Sequence, residues 1–188
     1  MTTVSWLSLK LSEDERQRTH ISNKKEIVTG ESRFCIVGRT TNKKMSYSAY
    51  TDGSCIKNPG VGGYGAVLLN EKGEVIQELS GFLPNTTNNK AEMTAVIRAL
   101  EWFESPIDIT IYTDSEYTAK GMNELIAGWK RNGWRTSNKK QVLNKELWQE
   151  LDSLCQKHKV TITWIARSSH KYNKVADRLA NGRANAGS

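Results

Sequence analysis

Apolar and polar residues follow two different periods along residues 46–188, and together these predict one mixed α/β domain. Short runs typical of strands, either alternating or continuously apolar and bounded by turns containing Gly, Pro or Asn, lie at 48–52, 64–70, 75–83, 107–113 and 160–165. Apolar residues at helical spacing predict helices at 89–104, 115–123, 125–131, 144–157 and 173–186. The order of these elements predicts a five-stranded mixed sheet with helices on both faces.

Residues 1–45 do not share this pattern and are interpreted as an N-terminal extension of unknown role. They are polar, rich in Ser, Thr and Lys, and contain only two short apolar runs, at 4–11 and 34–37. One hypothesis is that Met45 is the true start, so that the residues before it are an extension or a start-site artefact. The other is that they form an appended arm that binds nucleic acid through its positive charge.

Composition indicates a globular protein of the cytoplasm. Of the 188 residues, 37% are hydrophobic and 25% are charged. No apolar stretch approaches the roughly 20 residues that a membrane-spanning helix needs, and the N-terminus lacks the apolar centre of a secretory signal. The three cysteines have no metal-type spacing and favour reduced thiols, with Cys155 expected in the core on a helix. We therefore expect a cytoplasmic protein that does not bind membranes and is a monomer.

Basic residues are concentrated in one segment of the domain. The formal net charge is +7, and residues 119–140 contain six Lys or Arg side chains against a single acid, Glu124. A basic segment of this kind suggests a polyanionic partner such as nucleic acid, although solvated protein faces carry similar charge.

Four acidic residues stand at or near the ends of predicted elements. Asp52 ends the first strand, Asp114 follows the fourth, and Glu92 and Asp177 lie early in two helices. Each acid could simply cap or solvate its own element. If the first and fourth strands are neighbours, the carboxylates instead converge, and they would then need cations to offset their repulsion. Oxygen ligands of this kind suit Mg²⁺ or Mn²⁺, and a pair of such ions is the usual device for cutting a phosphodiester.

Several ordered motifs resemble those of type 1 ribonuclease H. They are YTDGSC at 50–55, NPG at 58–60, GGYG at 62–65, TTNNKAE at 86–92, IYTDS at 111–115, WKRNGW at 129–134, Asn144 with Leu147-Trp148, and Asn173 with Asp177. The resemblance runs from about Ser48 to Ala186, some three quarters of the chain. It does not include residues 1–45.

The resemblance implies a ribonuclease H-like fold and an endonuclease that cleaves the RNA strand of RNA–DNA hybrids without strong sequence specificity, giving 5′-phosphomonoesters. Asp52, Glu92, Asp114 and Asp177 would be the catalytic carboxylates that bind two Mg²⁺ ions, with Mn²⁺ as an alternative. The substrate-binding positions it implies are Asn58, Asn88 and Asn89 in the minor groove, Thr87 and Asn144 at a DNA phosphate, Trp129 along the DNA sugars, and Lys130, Arg131, Arg135, Lys139 and Lys140 at phosphates. For Trp129 plain packing is the alternative, and Trp134 is expected to pack the basic protrusion on its own helix.

Two positions depart from the family pattern. The loop before the last helix is one residue short, and Arg167 or Ser168 falls where the family has a mobile His. His170 lies three residues before Asn173 and could take that role or be a solvent-facing loop residue. Glu116 stands where the bacterial branch often has Gln, so it adds an acid near Asp114.

Three other functions compete with this interpretation. A hybrid-binding module without catalysis would not need the full set of four acids. A transposase or integrase also uses an acidic triad, but the minor-groove Asn set and the basic protrusion favour a hybrid-cleaving enzyme. A ribonuclease H domain detached from a reverse transcriptase is disfavoured because the short chain has no polymerase motif.

Overall fold

The computed structural model describes residues 46–187, so both hypotheses about residues 1–45 lie outside the described residues. Within this range five strands form one sheet: β1 (Ser46–Cys55), β2 (Gly60–Leu69), β3 (Val75–Thr86), β4 (Asp108–Thr113) and β5 (Lys159–Trp164). The helices are α1 (Asn88–Glu101), α2 (Glu116–Lys120), α3 (Ile126–Arg131), α4 (Lys145–Lys157) and α5 (Lys171–Ala186), and a π-helical turn, Gly121–Leu125, joins α2 to α3. The predicted mixed α/β class and element order are confirmed.

The central strand β1 joins an antiparallel half of the sheet to a parallel half. The strand order is β3-β2-β1-β4-β5, with β1 antiparallel to β2 and parallel to β4. Thr51 pairs with Thr113 in the β1–β4 register, so the next residues, Asp52 and Asp114, lie side by side. The first and fourth strands are therefore neighbours, which is the condition under which the sequence predicted that these two acids converge.

Strand β1 continues further than its sequence predicted. We expected Gly53 and Ser54 to break the strand after Asp52, but pairing with β2 continues to Cys55, which lies opposite Gly62. The expectation was wrong because Gly53 is needed for the close packing of α1 on β1 and does not form a turn. A Cβ at Gly53 would overlap the backbone of Ala91 and Glu92, so only glycine lets α1 approach β1 this closely.

Strand β3 also exceeds its predicted end at residue 83. It continues through Pro84 to Thr86, which pairs with Gly60 after a register shift. Pro84 is tolerated because β3 is an edge strand, where the missing N–H costs no ladder hydrogen bond. The extension brings Thr86 to the N-terminus of α1, which begins at Asn88.

Helices cover both faces of the sheet, as predicted. The larger core lies under α1 and α4 and includes the fully buried side chains of Leu68, Met93, Ile109, Trp148 and Leu151. On the opposite face α5 packs on β1, β2 and β3, where Val67, Leu69 and Ala176 form a smaller cluster. Cys155 is partly buried against the larger core, and burial raises its pKa to about 11. None of the helices within residues 46–187 has the length and apolar character needed to cross a bilayer.

Candidate active site

Asp52 is the centre of the site, on the face of β1 that meets α5. Its side chain is buried, and the backbone N–H of Gly53 donates to Oδ1 at 2.8 Å. Burial, followed by the charges of Asp114 and Asp177, raises the pKa of Asp52 to about 7. A carboxyl so perturbed in a cleft is typical of a functional position.

Glu92 reaches Asp52 from the first turns of α1. Thr87 caps this helix by accepting the N–H of Lys90 at 3.3 Å, and Gly53 allows the helix to lie against β1. Burial and the adjacent Asp52 charge raise the pKa of Glu92 well above its ordinary value. Within residues 46–187, Glu92 Oε2 is buried without a hydrogen-bond partner.

Asp114 follows β4 and faces the same point. Trp164 Nε1 donates to the Asp114 backbone carbonyl at 3.2 Å, which fixes the chain where it leaves the strand. Burial raises the pKa of the Asp114 carboxyl, whereas the Arg167 charge lowers it. Its Oδ1 is buried and makes no hydrogen bond to any residue that the structure describes.

The carboxylates of Asp52, Glu92 and Asp114 form one group. An oxygen from each lies within 4.8 Å of the others, and all three line a pocket of about 350 Å³ with Asn88 and Arg167. Burial raises the pKa values of all three acids, and buried oxygens of Glu92 and Asp114 have no hydrogen-bond partner among the described residues, so the group needs more positive charge than Arg167 supplies to stabilise its ionised form. The donor set is all oxygen and therefore fits a hard divalent cation such as Mg²⁺ or Mn²⁺.

Asp177 approaches this group from α5 but has a different partner. The Ala176 carbonyl packs directly over Gly65, the cross-strand partner of Asp52, and Asp177 beside it helps to raise the pKa of Asp52. Asp177 Oδ1 is ion-paired with Arg167 Nη2 at 2.9 Å. The fourth predicted acid is therefore adjacent to Asp52, but it lies outside the 4.8 Å group of three.

The shortened loop before α5 has a defined structure that places Arg167 at the acids. Asn173, almost fully buried, accepts the backbone N–H of Ser168 on Oδ1 at 2.6 Å. Its side chain also lowers the pKa of Asp114, although Nδ2 forms no hydrogen bond of normal geometry within the described residues. Sequence reasoning placed Arg167 near this position but missed its pairing with Asp177. The one-residue deletion in the loop was the only signal.

His170 packs against Tyr50 of β1 and caps α5. Its ring stacks on Tyr50 with centroids 4.6 Å apart, and Tyr172 lies beside both rings. Nδ1 accepts the N–H of Tyr172 at 3.3 Å, so His170 caps α5. The structure therefore gives His170 a packing and capping contact that neither sequence hypothesis included.

Glu116 does not join the acidic group. It pairs with Lys120 at 2.9 Å on the exposed side of α2, and the cluster of potential metal ligands among the described residues omits it. The extra acid near Asp114 in sequence is therefore separated from the carboxylate group in space.

The five uncharged polar positions among the predicted substrate contacts line a single groove beside the acids. Its volume is about 790 Å³, and its lining includes Asn58, Thr87, Asn88, Asn89 and Asn144. Asn58 Oδ1 accepts the backbone N–H of Asn88 at 3.2 Å, which holds the β1–β2 turn against α1. Because Asn88 also lines the acidic pocket, the groove leads to the carboxylates.

Asn144 is oriented by a residue that sequence reasoning missed. It adopts a left-handed backbone conformation, with φ of 58°, just before α4. Its Nδ2 donates to the hydroxyl of Tyr117 at 3.1 Å, and Trp148 Nε1 donates to the same hydroxyl at 3.3 Å. The Tyr117 hydroxyl in turn donates to the carbonyl of Leu143 at 3.3 Å. The Tyr117 hydroxyl thus fixes both the Asn144 side chain and the start of α4.

The two tryptophans of the basic protrusion are both in packing contact. Trp129 lies 5.3 Å from Trp148 between ring centroids, and one side of it lines an apolar pocket of about 410 Å³ with Leu143. Trp134 is partly buried against the core, and its backbone N–H donates to the Trp129 carbonyl at 2.7 Å. The packing interpretation of Trp134 is confirmed, and Trp129 combines packing with exposure at a pocket.

The basic side chains of this segment are not equivalent. Lys130 Nζ bonds both carboxylate oxygens of Asp152, at 2.7 and 2.9 Å, so its charge is already paired. Lys139 and Lys140 are exposed in a turn held by the bond from Arg135 to the Lys139 carbonyl. Arg131 is exposed at the end of α3.

Comparison with known proteins gives consistent matches over the described domain. The family model for RNase H matches residues 44–185. A curated ribonuclease H from Francisella philomiragia is 51% identical over 140 residues, which are 74% of this chain and 91% of that protein. The solved structure of LC11-RNase H1 in complex with an RNA/DNA hybrid is 28% identical with a TM-score of 0.61, covering 74% of this chain and 97% of that one. RNase H1 from Halobacterium salinarum NRC-1 is 28% identical with a TM-score of 0.59, covering 75% and 98%.

Proposed function

The chain belongs to the ribonuclease H family, and we propose that it hydrolyses the RNA strand of RNA–DNA hybrids at Asp52, Glu92, Asp114 and Asp177. One observation carries this proposal. Three carboxylates with raised pKa values, two of which have a buried oxygen without a hydrogen-bond partner among the described residues, offer oxygens within 4.8 Å of one another at the end of a groove lined by amide side chains. The relative solved with a hybrid shares this fold over most of its length.

The chemistry rests on a divalent metal pair held by the acids. Asp52, Glu92 and Asp114 fit one ion through their clustered oxygens, and Asp177 beside Asp52 fits a second. When bound, two Mg²⁺ or Mn²⁺ ions would activate the attacking water and stabilise the leaving oxygen. The protein contributes a rigid arrangement, because β1, β4, α1 and α5 each fix one carboxylate.

Recognition of the substrate follows from the groove. Asn58, Asn88 and Asn89 offer amide donors and acceptors next to the acids, suited to the 2′-hydroxyls and base edges of a minor groove. Asn144, held by Tyr117, and Thr87 lie across the groove and suit a phosphate. The exposed Lys139 and Lys140 suit the backbone without reading sequence, which supports weak sequence preference.

Further parts of the proposal concern the setting of the enzyme. We assign the catalytic domain to residues 46–188 and Mg²⁺ as the working ion, with Mn²⁺ as a substitute. A cytoplasmic monomer is proposed on the charged composition and on the two free thiols of the described domain, Cys55 and Cys155.

The test is cleavage of an end-labelled RNA–DNA hybrid by the full chain in Mg²⁺, with EDTA and D114N as controls. We expect the RNA strand alone to be cut, giving 5′-phosphate ends, and no cleavage in either control. Binding without Mg²⁺-dependent cleavage would indicate a hybrid-binding module. Equal cleavage of an all-DNA duplex would indicate a recombinase-type nuclease.

A further inference from the structure

We propose that Arg167 is the resident counter-ion of Asp177 and competes with the divalent ion that uses this carboxylate. The proposal rests on the four-acid metal site proposed above. It makes Arg167 a positioning residue that sets how tightly the weaker of two ions binds.

The geometry places the guanidinium where a cation is needed. Arg167 Nη2 lies 2.9 Å from Asp177 Oδ1, and its charge also acts on Asp52 and Asp114. It lines the same pocket as Asp52, Glu92 and Asp114. One guanidinium therefore lies in the pocket that the acids line.

The loop holds Arg167 in this place. Ser168, next in the chain, has a φ of 57°, and its N–H is bound to the buried Asn173 at 2.6 Å. Two residues further on, the ring of His170 stacks on Tyr50. Anchors on both sides of residue 169 fix the backbone of the loop next to Arg167, and the Arg167 side chain reaches Asp177 from the exposed side of the pocket.

The competition between Arg167 and a divalent ion follows from the charges around Asp177. Arg167 occupies one of the two oxygens that Asp177 can offer to a divalent ion, and the ion would also meet a positive charge in the same pocket. The group of Asp52, Glu92 and Asp114 has no basic side chain bonded to its oxygens within residues 46–187. We therefore expect one tighter ion at these three acids and one weaker ion opposed by Arg167.

Mn²⁺ binding to the full chain without nucleic acid measures this directly. Free Mn²⁺ is followed by electron paramagnetic resonance at low salt for the wild type, R167Q, R167K and R178Q. Arg178 is the matched control, because it is exposed on α5 next to Asp177 and its loss changes net charge equally. R167Q should bind Mn²⁺ at the weaker site about two- to fivefold more tightly than R178Q does. A change in affinity of this size corresponds to the free energy of an exposed ion pair.

The remaining variants separate competition from other effects. R167K keeps the charge and should restore most of the wild-type affinity. In a D177N background the effect of R167Q on Mn²⁺ affinity should shrink, because the shared carboxylate is gone and only the longer-range action of Arg167 on Asp52 and Asp114 remains. Equal affinities for R167Q and R178Q, or an undiminished R167Q effect in D177N, would overturn the proposal. Loss of the tighter site in D114N tests the proposed catalytic metal site separately, since that result does not depend on Arg167.

Discussion

Gly65 lies directly opposite Asp52 across the β1–β2 pair, and the carbonyl of Ala176 occupies the space that a side chain at position 65 would fill. Gly53, the next residue after Asp52, is covered in the same way by the backbone at Glu92. The two positions that flank Asp52, one along the chain and one across the sheet, therefore both lack a Cβ. This absence lets two helices carry Glu92 and Asp177 to the central carboxylate.

Replacing Gly65 with Ala should damage both stability and the site. The added methyl overlaps Ala176, so α5 must move away, at a cost of about 1–3 kcal/mol. Urea unfolding measures the loss, and hybrid cleavage should fall because Asp177 moves with the helix. Gly182 of α5 has open space around its Cβ position, so G182A should instead stabilise the protein by about 0.5–1 kcal/mol. Equal stability of G65A and the wild type would contradict the close-approach argument.

Replacing Asp114 with Asn should abolish cleavage but preserve hybrid binding. Asn keeps the size of the side chain and loses the ligand charge, and metal catalysis supplies several kcal/mol, so the rate should fall by about a hundredfold or more. Single-turnover cleavage in Mg²⁺ gives the rate, and fluorescence anisotropy of a labelled hybrid gives the affinity. A normal rate in D114N would remove Asp114 from the metal site.

The metal-free protein should lose stability as the pH rises from about 4 to 7. Burial raises the pKa of Asp52 from 3.8 to about 7, so the native state holds more protons than the unfolded state across this window. The free energy of unfolding therefore falls with pH, and the Asp52 contribution levels off above about 7. Glu92 and Asp114 act in the same direction, while Arg167 opposes them.

Urea unfolding in EDTA at several pH values measures the slope of the free energy of unfolding against pH. D52N should make it shallower, because it removes one titrating group and lowers the charge that its neighbours meet. Mg²⁺ at pH 7.5 should raise wild-type stability more than that of D52N. A slope unchanged by D52N would show that Asp52 ionises normally in the folded protein.

Hybrid binding should weaken steeply with salt, and the lysines should contribute unequally. Lys140 is exposed at the turn, so K140A should reduce the slope of log affinity against log salt by about 0.9, one phosphate contact. Lys130 is bonded to Asp152, so K130A should change the slope less. Binding titrations with catalytically inactive D114N at several salt concentrations measure both slopes. A flat salt response would exclude the basic segment as a phosphate-binding surface.

Replacing His170 should affect stability more than turnover. H170A removes the cap of α5 and the stack on Tyr50, with an expected cost of about 1–2 kcal/mol. H170N keeps a capping side chain and should recover part of that loss. Thermal unfolding and the rate at saturating hybrid separate the two effects. A severalfold slower rate in both variants would give His170 a part in the reaction.

The sequence predicted the elements that depend on local pattern. Alternating or continuously apolar runs located all five strands, and the sequence allowed Asp52 and Asp114 to meet if the first and fourth strands were neighbours, which they are. It misplaced the ends of β1 and β3 because Gly53 and Pro84 are turn formers in isolation. Here the close approach of α1 and the edge position of β3 override that preference.

Other parts of the site depend on distances between elements that sequence spacing does not contain. Tyr117 meets Asn144 across 27 positions, and Trp164 meets the Asp114 carbonyl across 50. The pairing of Arg167 with Asp177 depends on how a one-residue deletion is taken up by the loop, and here the Ser168–Asn173 bond determines it. These contacts arise from packing and could be found only in three dimensions.

The position of α5 has a consequence for how the enzyme is made. This helix is the last element of the described domain, yet it supplies Asp177 and covers β1, β2 and β3, the first strands of that domain. A ribosome releases these strands long before α5 emerges, so the growing chain carries an open, uncovered sheet face and an incomplete set of acids. Hydrolysis of hybrids should therefore begin only after α5 has emerged and docked on the sheet, and a nascent chain stalled before α5 should be inactive.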